Sequence, residues 1–301
     1  MGDTPYSKLE QVLLEEQIYN MTLFRKPNGV FTVHVGDLWK VNATRCGIDT
    51  IDIVSETLLA GPLPTLVLAG DNDVKDCPDP SAAWDRFHEH FVPFEQNWVD
   101  RTLDGVPSIT ELNVQRNFPD YSEMFAFNHL NVLFLSVDLW QHAPTDSLLL
   151  EEWDARMAAN LEWATANIDA AYANDIVRAV VFFSHGQRAI DTRPFFDQMG
   201  PTFTSNVDRW LTPVLYIHGD GHKFELNLTY TKELSWTNFQ EIQVDRGGIA
   251  DPLFIEVAAM SRNTGEMIPL QKEHDLQVVL ADGLLRIDRQ KGLYPVHNAI
   301  V

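Results

Sequence analysis

The chain has 301 residues, 45% of them hydrophobic, and its formal net charge is −21 at pH 7. This length allows one large core or two modest ones, because most domains contain roughly 100 to 250 residues. The negative charge argues against nucleic acid as a partner, since such binding depends on positive side chains that neutralise phosphates. The apolar runs are shorter than the roughly 18 residues that cross a bilayer, so we expect no membrane span.

Helices and strands are predicted to alternate along much of the chain. In chain order, the pattern predicts a helix over residues 9–18 with Ser7 as its N-cap, a strand at 30–35, a helix at 49–59, a strand at 65–69, a helix at 79–94 and a loop at 100–120. Next come strands at 123–127 and 132–137 that form a hairpin, a helix at 148–172, a strand at 179–184, a loop at 188–204, a short helix around 207–211 and a strand at 214–218. Further strands are predicted at 223–228, 241–245 and 253–258, and the remainder is predicted to be an irregular, charged tail.

This order of elements predicts an α/β fold in which two mixed sheets pack face to face, with helices outside. The simplest division is one domain over residues 1–262 and a tail over 263–301. In open α/β sheets, ligands bind at the carboxyl ends of the strands. The side chains that follow each predicted strand are therefore the first candidates for a functional site.

The dipeptide Gly-Asp recurs at the ends of predicted strands. It follows apolar runs at residues 36–37, 70–71 and 219–220, and it also occurs at residues 2–3 with no run before it. Any one copy is explained by a strand-to-turn junction, because Gly and Asp both favour turns. Several carboxylates that met at one sheet edge would repel one another unless a cation compensated their charge. The repeated pattern therefore predicts a metal site.

The candidate ligands are oxygen and nitrogen donors near these strand ends: Asp3, Asp37, Asp71, Asn72, His185, His218, Asp220 and His222. Such donors suit Zn, Mn or Fe. A carboxylate shared by two ions about 3.5 to 4 Å apart is a common device for activating water and holding a phosphoryl group. The reaction indicated is phosphoester hydrolysis. Burial in the core is the alternative explanation for His185 and His218.

The motifs in which these residues stand resemble those of the calcineurin-like metallophosphoesterases. They are GDTPY (2–6), HVGDLWK (34–40), AGDNDVKDC (69–77), VVFFSH (180–185) and YIHGDGHKF (216–224), and the likeness covers roughly residues 2–260. The resemblance implies a four-layer sandwich, a dinuclear centre and a bridging hydroxide. It implies Asp3 and His222 at a first divalent ion, Asp37 as the bridge, and Asp71 or Asn72 with His185 and Asp220 at a second. It also implies that His185, Asn72 or a water assists the leaving group.

The motifs also depart from the family pattern. Asp3-Thr4-Pro5 stands in place of Asp-x-His, Gly70-Asp71-Asn72 in place of Gly-Asn-His, and residues 219–222 in place of Gly-His-x-His. Oxygen donors thus replace nitrogen donors, which favours Mn, Mg or Ca over Zn. An impaired member of the fold that acts as a binding module is the main alternative to an enzyme. A calcium-binding surface protein is a more distant one.

The remaining predictions concern the amino terminus and the substrate. Because no strand precedes Asp3, we expect either that the sequence begins late or that this ligand hangs from a disordered terminus. A small phosphorylated substrate is expected, and the sequence does not indicate an oligomeric state. Arg188 is a candidate phosphate contact, although a solvated loop charge is the favoured explanation.

The compartment is indicated by cysteines and sequons. Cys46 and Cys77 follow two Gly-Asp pairs, so they would lie on one rim within reach of a disulfide, with free thiols or a functional role as alternatives. Asn20, Asn42 and Asn227 stand in sequons compatible with glycosylation. Both features favour a secreted or lumenal protein, and a cytoplasmic one stays open because the sequence shows no signal peptide.

Overall fold

The computed structural model describes residues 1–24, 29–40, 46–101, 107–144, 147–174, 177–205, 212–227, 239–247, 252–257, 275–280 and 285–290, with the single residues 209 and 236. Within this part of the chain, no helix is both long and apolar enough to cross a membrane.

A mixed sheet of seven strands forms the centre of the fold. Its strands are β3 (Gln115–Asn117), β4 (Tyr121–His129), β5 (Val132–Ser136), β6 (Ala179–Phe183), β7 (Val214–His218), β8 (Glu225–Asn227) and β9 (Phe239–Gln243), in the spatial order β3-β4-β5-β6-β7-β9-β8. Strands β5, β6, β7 and β9 pair in parallel, while β3, β4 and β8 add antiparallel edges. The predicted hairpin of β4 and β5 is confirmed. The parallel arrangement brings the carboxyl ends of β6 and β7 to the same edge of the sheet.

A second, smaller sheet packs against the first one. Its strands β1 (Thr32–His34) and β2 (Thr65–Val67) pair in parallel. Successive side chains of a strand face opposite sides, and Leu66 and Leu68 accordingly face the core between the sheets, together with Phe183 of β6. The predicted face-to-face packing of two sheets is therefore confirmed.

Helices cover the outer faces of both sheets. The small sheet is covered by α1 (Lys8–Phe24), α2 (Ile51–Leu59) and α3 (Pro80–Phe91), and the large sheet by α5 (Ser147–Ala173) and α6 (Arg193–Thr204). Val67 of β2 and Leu58 of α2 share one outer core, and Val180 of β6 and Phe196 of α6 share the other. The four-layer α/β arrangement follows from these three cores.

Residues 1–4 form part of the small-sheet layer. The N–H of Asp3 donates to the carbonyl of Gly36 at 2.9 Å, and the N–H of Val35 donates to the carbonyl of Met1 at 2.8 Å. Asp3 is completely buried. Of the two alternatives for this segment, a disordered terminus around Asp3 is therefore wrong, because strand-like hydrogen bonds hold the backbone in place, and a late start of the sequence stays a prediction.

Three regions predicted to be irregular contain regular elements. Residues 193–204, predicted as part of a loop, form helix α6, which contains Pro201. The buried residues of this helix lie at helical spacing: Phe195, Phe196, Met199 and Phe203. The predicted loop at 100–120 contains a short helix α4 (Ile109–Leu112) and strand β3. The predicted tail contains β11 (Asp275–Leu280) and β12 (Leu285–Gln290), which form a separate antiparallel sheet with β10 (Phe254–Val257). Most of the helix predicted around 207–211 lies outside the described residues.

A disulfide between Cys46 and Cys77 joins the segment after β1 to the segment after β2, with their Cα atoms 5.5 Å apart. The two cysteines are 31 residues apart in the sequence. We expect the double variant Cys46→Ser/Cys77→Ser to lose about 3 kcal/mol of unfolding free energy, because the crosslink restricts the unfolded chain. Urea unfolding of wild type and variant, each with and without reductant, measures this loss. A variant as stable as the oxidised wild type would contradict the prediction.

Candidate metal centre

Four acidic side chains converge where strands of both sheets end. Asp37 follows β1, Asp71 follows β2, Asp220 follows β7, and Asp3 comes from the amino-terminal segment. Asp3, Asp37 and Asp220 have positive φ angles of 54°, 59° and 69°, a conformation that is uncommon outside glycine. Such strained backbone is often found at functional sites, where the surrounding structure holds it.

His185 lies at the centre of these acids. Its Nδ1 is 2.9 Å from the carbonyl oxygen of Val35, so Nδ1 carries the hydrogen and donates it. Its Nε2 points to carboxylate oxygens of Asp37 at 3.3 Å, Asp71 at 3.4 Å and Asp220 at 3.9 Å. A hydrogen bond from one ring nitrogen orients the other toward a metal in many metalloproteins. His185 is therefore arranged as a ligand.

The ligand atoms fall into two groups that share His185. One consists of Asp3, Asp37 and His185, the other of Asp71, His185 and Asp220, and within each group the atoms lie within 4.8 Å of one another. Nε2 of His185 and Oδ2 of Asp220 are buried and have no hydrogen-bond partner within the described part of the chain. Orphaned polar atoms of this kind are costly unless something binds them. The donor set therefore fits divalent cations.

The pKa shifts within the cluster also indicate that its carboxylates need a compensating positive charge. Burial raises the pKa of Asp37 well above its usual range, and the neighbouring carboxylates add to this effect. Burial also raises the pKa of Asp220. Burial opposes a charge on His185, but the carboxylates of Asp37 and Asp71 raise its pKa well above the ordinary value. A proton on Nε2 is one way to offset so much negative charge, and a metal ion is another.

Asn72 contacts the cluster as a hydrogen-bond donor. Its side-chain Nδ2 is 2.5 Å from Oδ2 of Asp37, and its backbone N–H donates to Oδ1 of Asp37 at 3.1 Å and to Oδ1 of Asp71 at 2.9 Å. The structure thus brings Asn72 to the centre. There it donates to two candidate ligands through its nitrogen atoms. The metal-ligand and leaving-group roles predicted for Asn72 stay predictions.

His222 lies at the outer rim of the cluster. Its Nε2 is 3.4 Å from Oδ1 of Asp3, and 43% of its side chain is exposed. The structure therefore brings together the two residues that the resemblance implied for the first ion. The hydrogen bond to Asp3 raises the pKa of His222.

His218 and Arg188 both contact Glu241. Nε2 of His218 is 3.2 Å from Oε1 of Glu241, and its Nδ1 is 3.0 Å from the carbonyl oxygen of Gly219. The backbone N–H of Arg188 donates to the same Glu241 oxygen at 3.2 Å. Both ring nitrogens of His218 therefore have partners that lie outside the two ligand groups. The phosphate contact predicted for Arg188 stays a prediction.

The sequons are only partly described. Asn20 is half-buried in α1, Asn227 lies in β8, and Asn42 lies outside the described residues. Glycosylation at the three positions stays a prediction.

Tyr6 belongs to the site although the sequence analysis did not single it out. Its hydroxyl donates to Oδ2 of Asp37, accepts from Nδ2 of Asn72 at 3.2 Å and lies 3.5 Å from Oδ1 of Asp3. Burial, followed by the charge of Asp37, raises the pKa of Tyr6. Its position in GDTPY, three residues after Asp3, was the available signal.

Asp73 is a second residue that the sequence analysis missed. Its carboxylate accepts three backbone hydrogen bonds of 2.8 Å, from the N–H groups of Asp37, Leu38 and Gly70. Burial raises its pKa to about 7, although these three donors favour the charged form. Asp73 thus fastens the turn after β1 to the turn after β2. It acts as a positioning residue for Asp37.

Comparisons with known proteins give a distant structural likeness. No protein-family model matches the chain, and no curated protein matches it significantly. Among solved structures, it is similar to a 5'-nucleotidase from Candida albicans SC5314, with 10% sequence identity and a TM-score of 0.41. The match covers 83% of this chain and 43% of the nucleotidase chain, so this chain spans less than half of that protein's length. The functional proposal therefore rests on the geometry of the site.

Proposed function

We propose that this protein is a metal-dependent phosphoester hydrolase. The observation that carries the proposal is the pair of ligand groups that share the buried imidazole of His185. In this proposal Asp3, Asp37, Asp71, His185 and Asp220 hold two divalent ions, with His222 beside Asp3 at the rim. Oxygen donors predominate in this set, which favours Mn or Mg over Zn, although Fe also accepts such ligands.

Two ions at this position would supply the positive charge that an anionic phosphate ester needs in a chain of charge −21. Other residues of the protein hold the candidate metal ligands in position. Asp73 fixes the backbone of Asp37, and the carbonyl of Val35 orients His185. Asn72 contacts both Asp37 and Asp71. A small phosphorylated compound is the proposed substrate class, as phosphomonoester or phosphodiester.

Metal removal tests the proposal directly. We expect purified protein to bind about two divalent ions per chain, to lose hydrolysis of p-nitrophenyl phosphate or bis-p-nitrophenyl phosphate in EDTA, and to regain it with Mn²⁺. We also expect Mn²⁺ to raise the Tm of the stripped protein by several degrees, because the ions offset repulsion between buried carboxylates. Elemental analysis, both assays and thermal unfolding measure these effects.

A protein that binds no metal and hydrolyses neither compound would contradict the proposal. That result would favour the alternative of a binding module on the same fold.

The disulfide supports the proposed location in an oxidising, secreted or lumenal compartment, because structural disulfides persist mainly there.

A further inference from the structure

Lys75 lies beside the candidate metal centre and contacts one of its acids. Its Nζ is 3.5 Å from Oδ2 of Asp71, donates to the carbonyl oxygen of His142 at 3.2 Å and lies 3.4 Å from Oδ1 of Asp76. Only 10% of the Lys75 side chain and 13% of the Asp71 side chain are exposed. Water and salt screen such a pair less than a surface pair, so the charge of Lys75 acts strongly on Asp71.

The backbone turn after β2 produces this contact. The carbonyl oxygen of Asp71 accepts hydrogen bonds from the N–H of Val74 at 3.3 Å and from the N–H of Asp76 at 2.9 Å. The turn folds the chain back, so that Lys75, four residues on, reaches the Asp71 carboxylate. The two oxygens of that carboxylate are thereby divided, because Oδ1 faces Nε2 of His185 at 3.4 Å while Oδ2 faces Lys75. Asp71 therefore offers one oxygen to the cluster.

The two partners of the Asp71 carboxylate respond differently to a metal ion. An imidazole such as that of His185 becomes a ligand by giving up its proton. A lysine ammonium keeps its proton at neutral pH, so its positive charge remains when an ion binds nearby. A carboxylate with a permanent ammonium on one oxygen carries little net charge and has one oxygen left for a cation. In both respects it resembles the side-chain amide of asparagine.

We propose that Lys75 neutralises Asp71, so that the pair acts as an uncharged ligand with one oxygen and weakens the binding of the ion that Asp71 contacts. This assignment rests on the proposed metal-dependent hydrolase function. The carboxylates of Asp3, Asp37 and Asp220 keep their charge for the ions. Lys75 is thus a positioning residue that sets the metal affinity of one side of the centre.

The variant Lys75→Met tests this assignment, because it removes the charge and keeps an unbranched side chain. Calorimetric titration of the stripped protein with Mn²⁺ measures the affinity of the more weakly bound ion. We expect its Kd to fall about tenfold in Lys75→Met, since a like charge beside the cation is gone. Lys8→Met is the matched control, because this exposed lysine on α1 gives the same change of net charge and should leave the Kd unchanged in roughly 0.15 M salt.

Asp71→Asn, alone and combined with Lys75→Met, separates charge from shape. Alone, it leaves the ammonium beside a neutral amide, so Mn²⁺ should bind about tenfold more weakly than to wild type. In the double variant the amide replaces the neutralised carboxylate, so the Kd should return to within about threefold of the wild-type value. This pair of variants carries the test if Lys75→Met fails to fold, as judged by circular dichroism.

Lys75→Met protein that binds the weaker Mn²⁺ ion no more tightly than wild type would overturn the proposal. A double variant that binds Mn²⁺ no better than Asp71→Asn would also overturn it. In both cases wild-type protein that binds two ions and hydrolyses phosphoesters would leave the proposed function intact. Wild-type protein that binds no Mn²⁺ and shows no turnover would instead reject the hydrolase function itself.

Discussion

Asp37→Asn should abolish metal-dependent hydrolysis, with a fall in kcat/KM of at least roughly 10³-fold. Asp37 is buried, and one of its carboxylate oxygens lies 3.3 Å from Nε2 of His185. The other oxygen receives hydrogen bonds from Tyr6 and Asn72. Asparagine keeps the shape of the side chain but loses its charge, so the variant should fold and yet bind the ions poorly.

The matched control for this variant is Asp52→Asn on α2. Asp52 is largely exposed and pairs with His90 at the surface, so the same change of charge should leave hydrolysis unchanged. Initial rates at saturating Mn²⁺, together with elemental analysis of both proteins, separate the two cases. Full Mn²⁺-dependent activity in Asp37→Asn would show that Asp37 is not a shared ligand.

Asp73→Asn should destabilise the fold by on the order of 3 kcal/mol and reduce metal binding as well. Three backbone N–H groups, from Asp37, Leu38 and Gly70, donate to the Asp73 carboxylate. In asparagine an amide NH₂ replaces one acceptor oxygen, so at least one buried donor would face another donor. The lost negative charge relieves some repulsion. For this reason the comparison is made in Mn²⁺, where the bound ions already offset that repulsion.

Asp76→Asn provides the control in the same turn. The Asp76 side chain is 41% exposed and pairs with Lys75 at 3.4 Å, and such surface pairs contribute about 1 kcal/mol or less. Urea unfolding of the two variants measures the difference. Equal stability of Asp73→Asn and Asp76→Asn would contradict the positioning role of Asp73.

The strand ends were predictable from the sequence because local signals define them. Apolar runs closed by Gly-Asp mark β1, β2 and β7. Parallel pairing brings the end of β1 beside that of β2, and the packing of the two sheets brings the end of β7 to them. Asp73 and Tyr6 were missed because their roles depend on contacts with Asp37, 36 and 31 residues away in the chain. Nothing in the local pattern reveals such distant hydrogen bonds.

The different positions of His185 and His218 follow from the alternation of side chains along strands. His185 continues the face of Phe183, which lies in the core between the two sheets, so its ring reaches the acids. His218 continues the face of Tyr216, which lies in the core beneath α5 and α6, and its ring meets Glu241. Counting this alternation from the apolar residues of each strand would have separated the two histidines.

The shared position of His185 has a consequence for how the two ions differ. One imidazole nitrogen can coordinate one cation at a time, so His185 would serve one ion of the proposed centre. If that ion were held by Asp3 and Asp37, with His222 at the rim, the other would have the oxygen donors of Asp71 and Asp220. Nitrogen ligands suit softer transition metals, and oxygen ligands suit harder ions. Protein isolated from a mixed supply of metals should therefore carry two different elements, one that survives dialysis and one that exchanges readily.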